Sequence, residues 1–205
     1  MIRAILSGTK TQTRRIVKPT PSSRIKEFLS ADPSGFWGFD GKEPVECIHC
    51  NHGEPGDRLW VREAFMHEPA DYCWEASVSI PCRPAVTTYR ADIDGDTAGA
   101  GWKPSIHMPR SLSRITLEIT SIRVERLNDI NEADAIAEGI DGCEIVINGD
   151  SQGSTWRDYE SRCDDPCEWY SRPKRSYQSL WEQINGPGSW AANPWVWCIS
   201  FRRLT

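Results

Sequence analysis

No stretch of this chain approaches the roughly 18 consecutive apolar residues that a membrane-spanning helix requires. The N-terminus also lacks the apolar core of a secretory signal, so a cytoplasmic protein with no membrane partner is expected. Internal repeats and low-complexity tracts are missing as well, which excludes solenoid and propeller architectures. No histidine pair and no acidic metal cluster stands out, so ribonuclease chemistry has no specific support. The sharpest shortage is local. Between Met1 and Lys26 there is no Asp or Glu at all.

That carboxylate-free stretch holds seven Lys and Arg, whereas the remainder of the chain carries 17 basic residues against 29 acidic ones. Its centre is ILSGTKTQTRR, Ile5–Arg15, where hydroxyls and cations follow a short apolar run. A cationic island on a protein of net charge −5 favours a phosphate-bearing or otherwise anionic ligand over non-specific adhesion to nucleic acid. With 205 residues, 39% of them apolar, the chain can form one generous domain. Eight cysteines in a reducing compartment are expected to be buried thiols or metal ligands. Ten tryptophans point mainly to core packing, with base stacking as the sharper alternative.

Read along the chain, Met1–Leu6 is a helix stopped by Gly8, and the Thr-rich Thr9–Val17 extends into a strand. Arg58–Phe65 is a second strand after the Gly56-Asp57 turn. Arg114–Arg126 alternates, with Ile115, Leu117 and Ile119 on one face and then Ile122 and Val124 in the opposite parity. Such a switch predicts a bulge or corner near Thr120-Ser121. Asn131 caps a short helix to Glu138, with Asp134 in the capping-box position and Gly139 as the stop. Tyr177, Leu180, Trp181 and Ile184 fall on one face of a helix ending at Gly186-Pro187. Trp195–Phe201, apolar on both faces, is a buried central strand. The fold class expected is α+β: a small mixed β-barrel with short flanking helices and long loop insertions. One domain over residues 1–205 has its core at about 1–19, 56–65, 110–140 and 176–204. The insertions are 20–55, 66–109 and 141–175.

ILSGTKTQTRR, PGDRLWV at Pro55–Val61, the alternating ITLEITSIRVERL with its DINEADAIAEGI helix, and the closing ISFRRL together resemble the ASCH domain. WKPSIHMPR and LWEQINGPGSWAANPWVW resemble the phage and prophage members in particular. The resemblance implies a PUA-like barrel whose cleft, between the Lys10–Arg15 segment and the Glu138 helix, holds RNA or a modified nucleoside inside a host cell. It also implies an alternative. In one bacterial branch the domain is an amidohydrolase that deacetylates N(4)-acetylcytidine with a Lys, a Thr and a Glu. Those residues correspond by motif to Lys10, Thr13 and Glu138. The family usually has a short strand before the first helix, whereas this sequence opens almost at the helix, so that barrel strand is expected to be either missing or supplied otherwise.

Taken as residues, Lys10 is either a base or oxyanion stabiliser or a phosphate contact. Thr13 is either a hydroxyl nucleophile or a strand residue, and it faces away from Lys10 unless the chain bends between them. Glu138 closes a helix whose carbonyl end is already negative, so its carboxylate needs a cationic partner. Thr11, Arg14 and Arg15 complete the first ligand-binding group. Trp102, Lys103, His107 and Arg110 form a second, on an extended segment fixed by Pro104 and Pro109, where prolines oppose helix. Cys47 and Cys50, with Cys163 and Cys167, have the spacing of a structural zinc site; otherwise no cofactor is expected. A host-factor interaction protein using a tryptophan-rich surface is the third reading.

Overall fold

The structure is a computed structural model. It describes residues 1–30, 35–75, 78–95, 101–147, 150–161 and 165–204, without the side chains of residues 71–83, Ile147 and Cys167. The chain opens with α1 (Ile2–Leu6) and β1 (Gln12–Ile16), then β2 (Glu27–Ser30), β3 (Gly35–Phe39) and β4 (Pro44–His49). Next come β5 (Arg58–Trp60), β6 (Phe65–Glu68), β7 (Asp71–Glu75), β8 (Val78–Arg83) and β9 (Val86–Tyr89). The long β10 (Thr116–Arg126) leads through α2 (Glu132–Ala137) to β11 (Gly142–Ile147) and β12 (Asp150–Trp156). The chain closes with α3 (Pro173–Asn185) and β13 (Trp195–Leu204). This is an α+β architecture made mostly of strands.

The principal sheet has the order β1-β13-β10-β5 and is a curled antiparallel half-barrel. β13 occupies an inner position, and its first five residues are all buried, as expected for a strand apolar on both faces. In β10, Leu117 and Ile119 are buried, whereas the adjacent Thr120 and Ser121 are both exposed. Two exposed residues in succession interrupt the period-two burial pattern there, within a strand that continues to Arg126. α2 begins where its cap predicts: the Asn131 side chain accepts from the Asp134 backbone N–H at 2.8 Å. The Asp134 carboxylate, however, turns to arginines rather than back to the cap.

The three expected loop insertions each contain paired strands. Residues 20–55 contain the antiparallel meander β2-β3-β4, and residues 141–175 contain the β11–β12 hairpin. Residues 66–109 hold the β7–β8 hairpin and most of the β6–β9 pairing. Period-two burial is weak in β2, β4, β9 and β12, so their sequences carry little alternation. Arg58–Phe65 is two strands rather than one, and in WKPSIHMPR residues Ser105–His107 form a 3-10 turn started by Pro104. Proline is well tolerated at the start of such a turn, where its missing N–H costs nothing.

The chain divides into two compact units, one chiefly Arg3–Arg58 with Glu118–Arg203, the other chiefly Leu59–Leu117. In the first, Leu127, Ile130, Ala135, Ile140, Tyr177, Trp181 and Val196 form a buried cluster against which Trp156 and Trp190 pack. The meander is fastened to β13 by edge-to-face contacts of Phe28 with Trp195 (4.9 Å) and Phe36 with Trp197 (5.4 Å). In the second unit Phe65, Met108, Ile115 and Leu117 are buried. Buried Glu63 is matched there by Arg114 at 2.9 Å. No helix is long and apolar enough to cross a membrane among the described residues.

Candidate functional site

The first unit builds a charged cavity around the carboxylate-free segment. Along β1, Gln12 and Arg14 are buried and Arg15 is exposed, with Thr13 paired to Ile199 and Arg14 to Cys198 on β13. The ladder begins only at Gln12. Lys10 lies ahead of it and forms a separate antiparallel bridge with Glu138. The Thr11 backbone joins both sides: its N–H donates to the Ala137 carbonyl (2.9 Å) and its carbonyl accepts from Phe201 N–H (2.8 Å). This break lets Lys10 and Thr13, three residues apart, line the same cavity.

Gly139 permits the close approach from the other side. Its φ of +77° suits glycine, and a Cβ there would lie 2.6 Å from the Lys10 Cβ. The helix end therefore comes down directly on Lys10. Lys10 Nζ donates to the Glu138 carbonyl at 2.6 Å and to its Oε2 at 3.0 Å. The carbonyl end of α2 and the carboxylate thus share one ammonium, which supplies the compensation a glutamate needs at that position.

Arg14 is the second cation on Glu138 and the hub of a wider network. Its NH1 reaches Glu138 Oε1 at 3.1 Å and Gln12 Oε1 at 2.7 Å. Its NH2 meets Glu125 at 2.5 Å and Asp134 at 3.0 Å. Arg123 binds the same two acids, Glu125 at 2.9 Å and Asp134 by a short contact. Glu125, Asp134 and Cys198 bring donor atoms within 4.8 Å of one another, a grouping that could hold a metal ion. The two guanidinium groups already sit where such a cation would act, and they balance the carboxylates.

Burial lowers the Lys10 pKa; Glu138 opposes that shift, and the nearby Arg15 and Arg14 reinforce it. For Arg14, burial pulls downward, but Cys198, Glu125 and Glu138 outweigh it and the pKa is raised. The Cys198 thiol is itself pushed up to about 12 by burial, so at neutral pH the carboxylates sustain the arginine charge. Burial, then Glu138, raises the Tyr177 phenol well above its usual range. Burial also raises Tyr159 to about 12.

Lys10, Thr13, Arg14 and Glu138 line the cavity, with Arg15, Asp141 and Asn185 beside them and Tyr159, Tyr177, Leu180 and Trp181 as its apolar side. Its volume is about 150 Å³. A space of that size holds one benzene-sized ring. Thr11 is exposed and does not line the cavity. Tyr177 and Trp181 were legible only as the apolar face of a helix, and Tyr159 lies in a segment with no periodicity. The Gln12/Arg14 alternation was the available signal for a buried polar strand face.

The second group lies in the other unit. Lys103, His107 and Arg110 are exposed, Trp102 is half-buried, and Arg110 lies over Trp60, 5.8 Å from the ring centre. In the first unit Cys47 lies on β4, and Cys47 and Cys50 are half-buried free thiols. Burial raises the Cys50 pKa. Cys163 falls outside the described residues, as does the side chain of Cys167, so the four-cysteine zinc set lies beyond them.

Comparison with protein-family models, with curated proteins and with solved structures finds no match to this chain in any of the three.

Proposed function

We propose that the protein is an ASCH-type, PUA-like nucleoside-binding protein that takes the ring of a modified pyrimidine, free or within RNA, into the cavity between Lys10–Arg15 and Glu138. The observation that carries this reading is the convergence of Lys10, Thr13 and Glu138 on one ring-sized cavity bordered by Tyr177 and Trp181. The aromatic side suits stacking against a base, and the polar floor suits the hydrogen-bonding edge of that base. A volume near that of a single ring favours a pyrimidine over a purine and leaves the sugar at the mouth, beside Arg15. The order of motifs shared with the ASCH domain supports the same assignment.

Hydrolysis of an acylated nucleoside is a second reading, favoured by the buried ammonium of Lys10 with its lowered pKa. In that reaction water or the Thr13 hydroxyl adds to the amide carbonyl carbon, and the carbonyl electron pair moves to oxygen beside Lys10. Collapse breaks the carbon–nitrogen bond, and the ring amine leaves with a proton. Direct attack by water releases the carboxylic acid; attack by Thr13 gives an acyl ester that water then cleaves. Both Glu138 carboxylate oxygens are already engaged, by Lys10 and Arg14, so binding is the stronger conclusion. Calorimetric titration with cytidine, N(4)-acetylcytidine and purine nucleosides tests it, with chromatography of the N(4)-acetylcytidine mixture for released cytidine. Binding of the pyrimidines that is lost in Lys10→Met and weakened in Thr13→Val is expected. Equal affinity for purines, or no binding to folded wild type, would refute it.

A further inference from the structure

We propose that the surface around Trp60 in the Leu59–Leu117 unit is a second site, which binds the sugar–phosphate backbone and an unpaired base of single-stranded nucleic acid. The sequence first sets the charge: residues 97–117 contain Lys103, Arg110 and Arg114 and no Asp or Glu. Within this unit Arg114 engages Glu63 at 2.9 Å and Asp92 at 2.7 Å. Arg62, Lys103 and Arg110 are all exposed, and none of them meets a carboxylate among the described residues. On a protein of net charge −5, three cations on one unit that meet no acid among the described residues form a local attraction for anions.

These cations are also held in place. The Arg62 guanidinium lies over the Trp60 ring at 4.6 Å and donates to the Ile106 carbonyl at 3.2 Å. Arg110 lies 5.8 Å from the same ring. Lys103 lies 5.9 Å from the Phe65 ring, and its backbone exchanges two hydrogen bonds with Phe65, at 2.8 and 3.2 Å. Pro104 and Pro109 precede the two 3-10 turns that carry His107 and Arg110. A cation already ordered by stacking and main-chain bonds loses little freedom when it meets a phosphate.

The aromatic component selects the partner. An acidic peptide would need only charge. A guanidinium stacked on an indole presents a planar face to a base and N–H groups to a phosphate, as single strands require. Duplexes keep their bases stacked inside and would use the charge alone. The site rests on residues of the second unit and does not depend on the nucleoside cavity.

Fluorescence anisotropy with the full chain and a labelled single-stranded oligonucleotide, oligo-uridine or oligo-thymidine, provides the test. Wild type is expected to bind with a slope of log affinity against log salt of about −2, from three contacts of roughly 0.7 each. Arg62→Ala with Arg110→Ala should weaken binding about tenfold or more and flatten that slope, while pyrimidine-nucleoside titration stays unchanged. Arg62→Lys should retain the slope yet bind several-fold more weakly, because charge survives and the stacked plane does not. Circular dichroism checks that each variant is folded. Equal affinity of the double variant for the oligonucleotide overturns the proposal. So does equal competition by polyglutamate or by a duplex of the same length, since either would mean charge without base stacking.

Discussion

Two sets of cations in this protein have opposite circumstances. Around Glu138, Lys10 and Arg14 are buried, and each meets a carboxylate within about 3 Å. Around Trp60 and Phe65, Arg62, Lys103 and Arg110 are exposed and steadied by aromatic rings rather than by acids among the described residues. Buried charges without partners are strongly destabilising, whereas exposed ones are nearly neutral to stability. The first set is therefore tied to folding as well as to the cavity. The second is free to vary without cost to the fold, so its arrangement is better explained by binding.

Substitutions separate the two sets most sharply in urea unfolding. Arg14→Met strips one cation from Glu125, Asp134 and Glu138 together and is expected to cost about 3–5 kcal/mol. A loss under about 1 kcal/mol would mean that solvent or Arg123 takes over its role. Gly139→Ala should cost about 2 kcal/mol, because alanine is strained at positive φ and its Cβ would overlap Lys10. The same variant should weaken nucleoside binding, whereas a mere turn residue would leave it intact.

Alkaline pH probes the buried set through Cys198, directly across from Arg14 on the neighbouring strand. Below about 9 its thiol is neutral in both folded and unfolded chains and contributes nothing. Between about 9 and about 12 the unfolded chain ionises while the folded one resists, so stability falls as pH rises. Lys10, with its lowered pKa, acts in the opposite sense below 10.5. Cys198→Ala should give a shallower alkaline decline than wild type; an unchanged decline would place the titration elsewhere. Asn131→Ala removes the cap of α2 and should cost about 1 kcal/mol. Smallest of all, Arg62→Ala and Arg110→Ala should each stay within about 0.5 kcal/mol of wild type. A larger loss would make them structural and erase the contrast.

Sequence patterns revealed the elements that are strongly periodic or clearly punctuated. The Asn131 cap, the Gly139 stop and the buried β13 all follow from local chemistry. The meander and hairpins of the insertions did not, because short strands with weakly differentiated faces leave no alternation to read. At the cavity, Glu138's need for a cation followed from its place at a helix end, and Lys10 meets it. Arg14's role as a hub was hidden, since its partners Glu125 and Asp134 are more than a hundred residues away in sequence. Trp60 was read only as part of a strand. Its stacking with Arg62 and Arg110 depends on side-chain placement that periodicity does not carry.

The most direct measurement is a crystal structure of the protein saturated with a pyrimidine nucleoside such as N(4)-acetylcytidine. The predicted result is ring density beside Tyr177 and Trp181, with its polar edge on Lys10, Thr13 and Glu138. A cavity without the ring at saturating ligand, or a ring bound only outside it, would contradict the assignment.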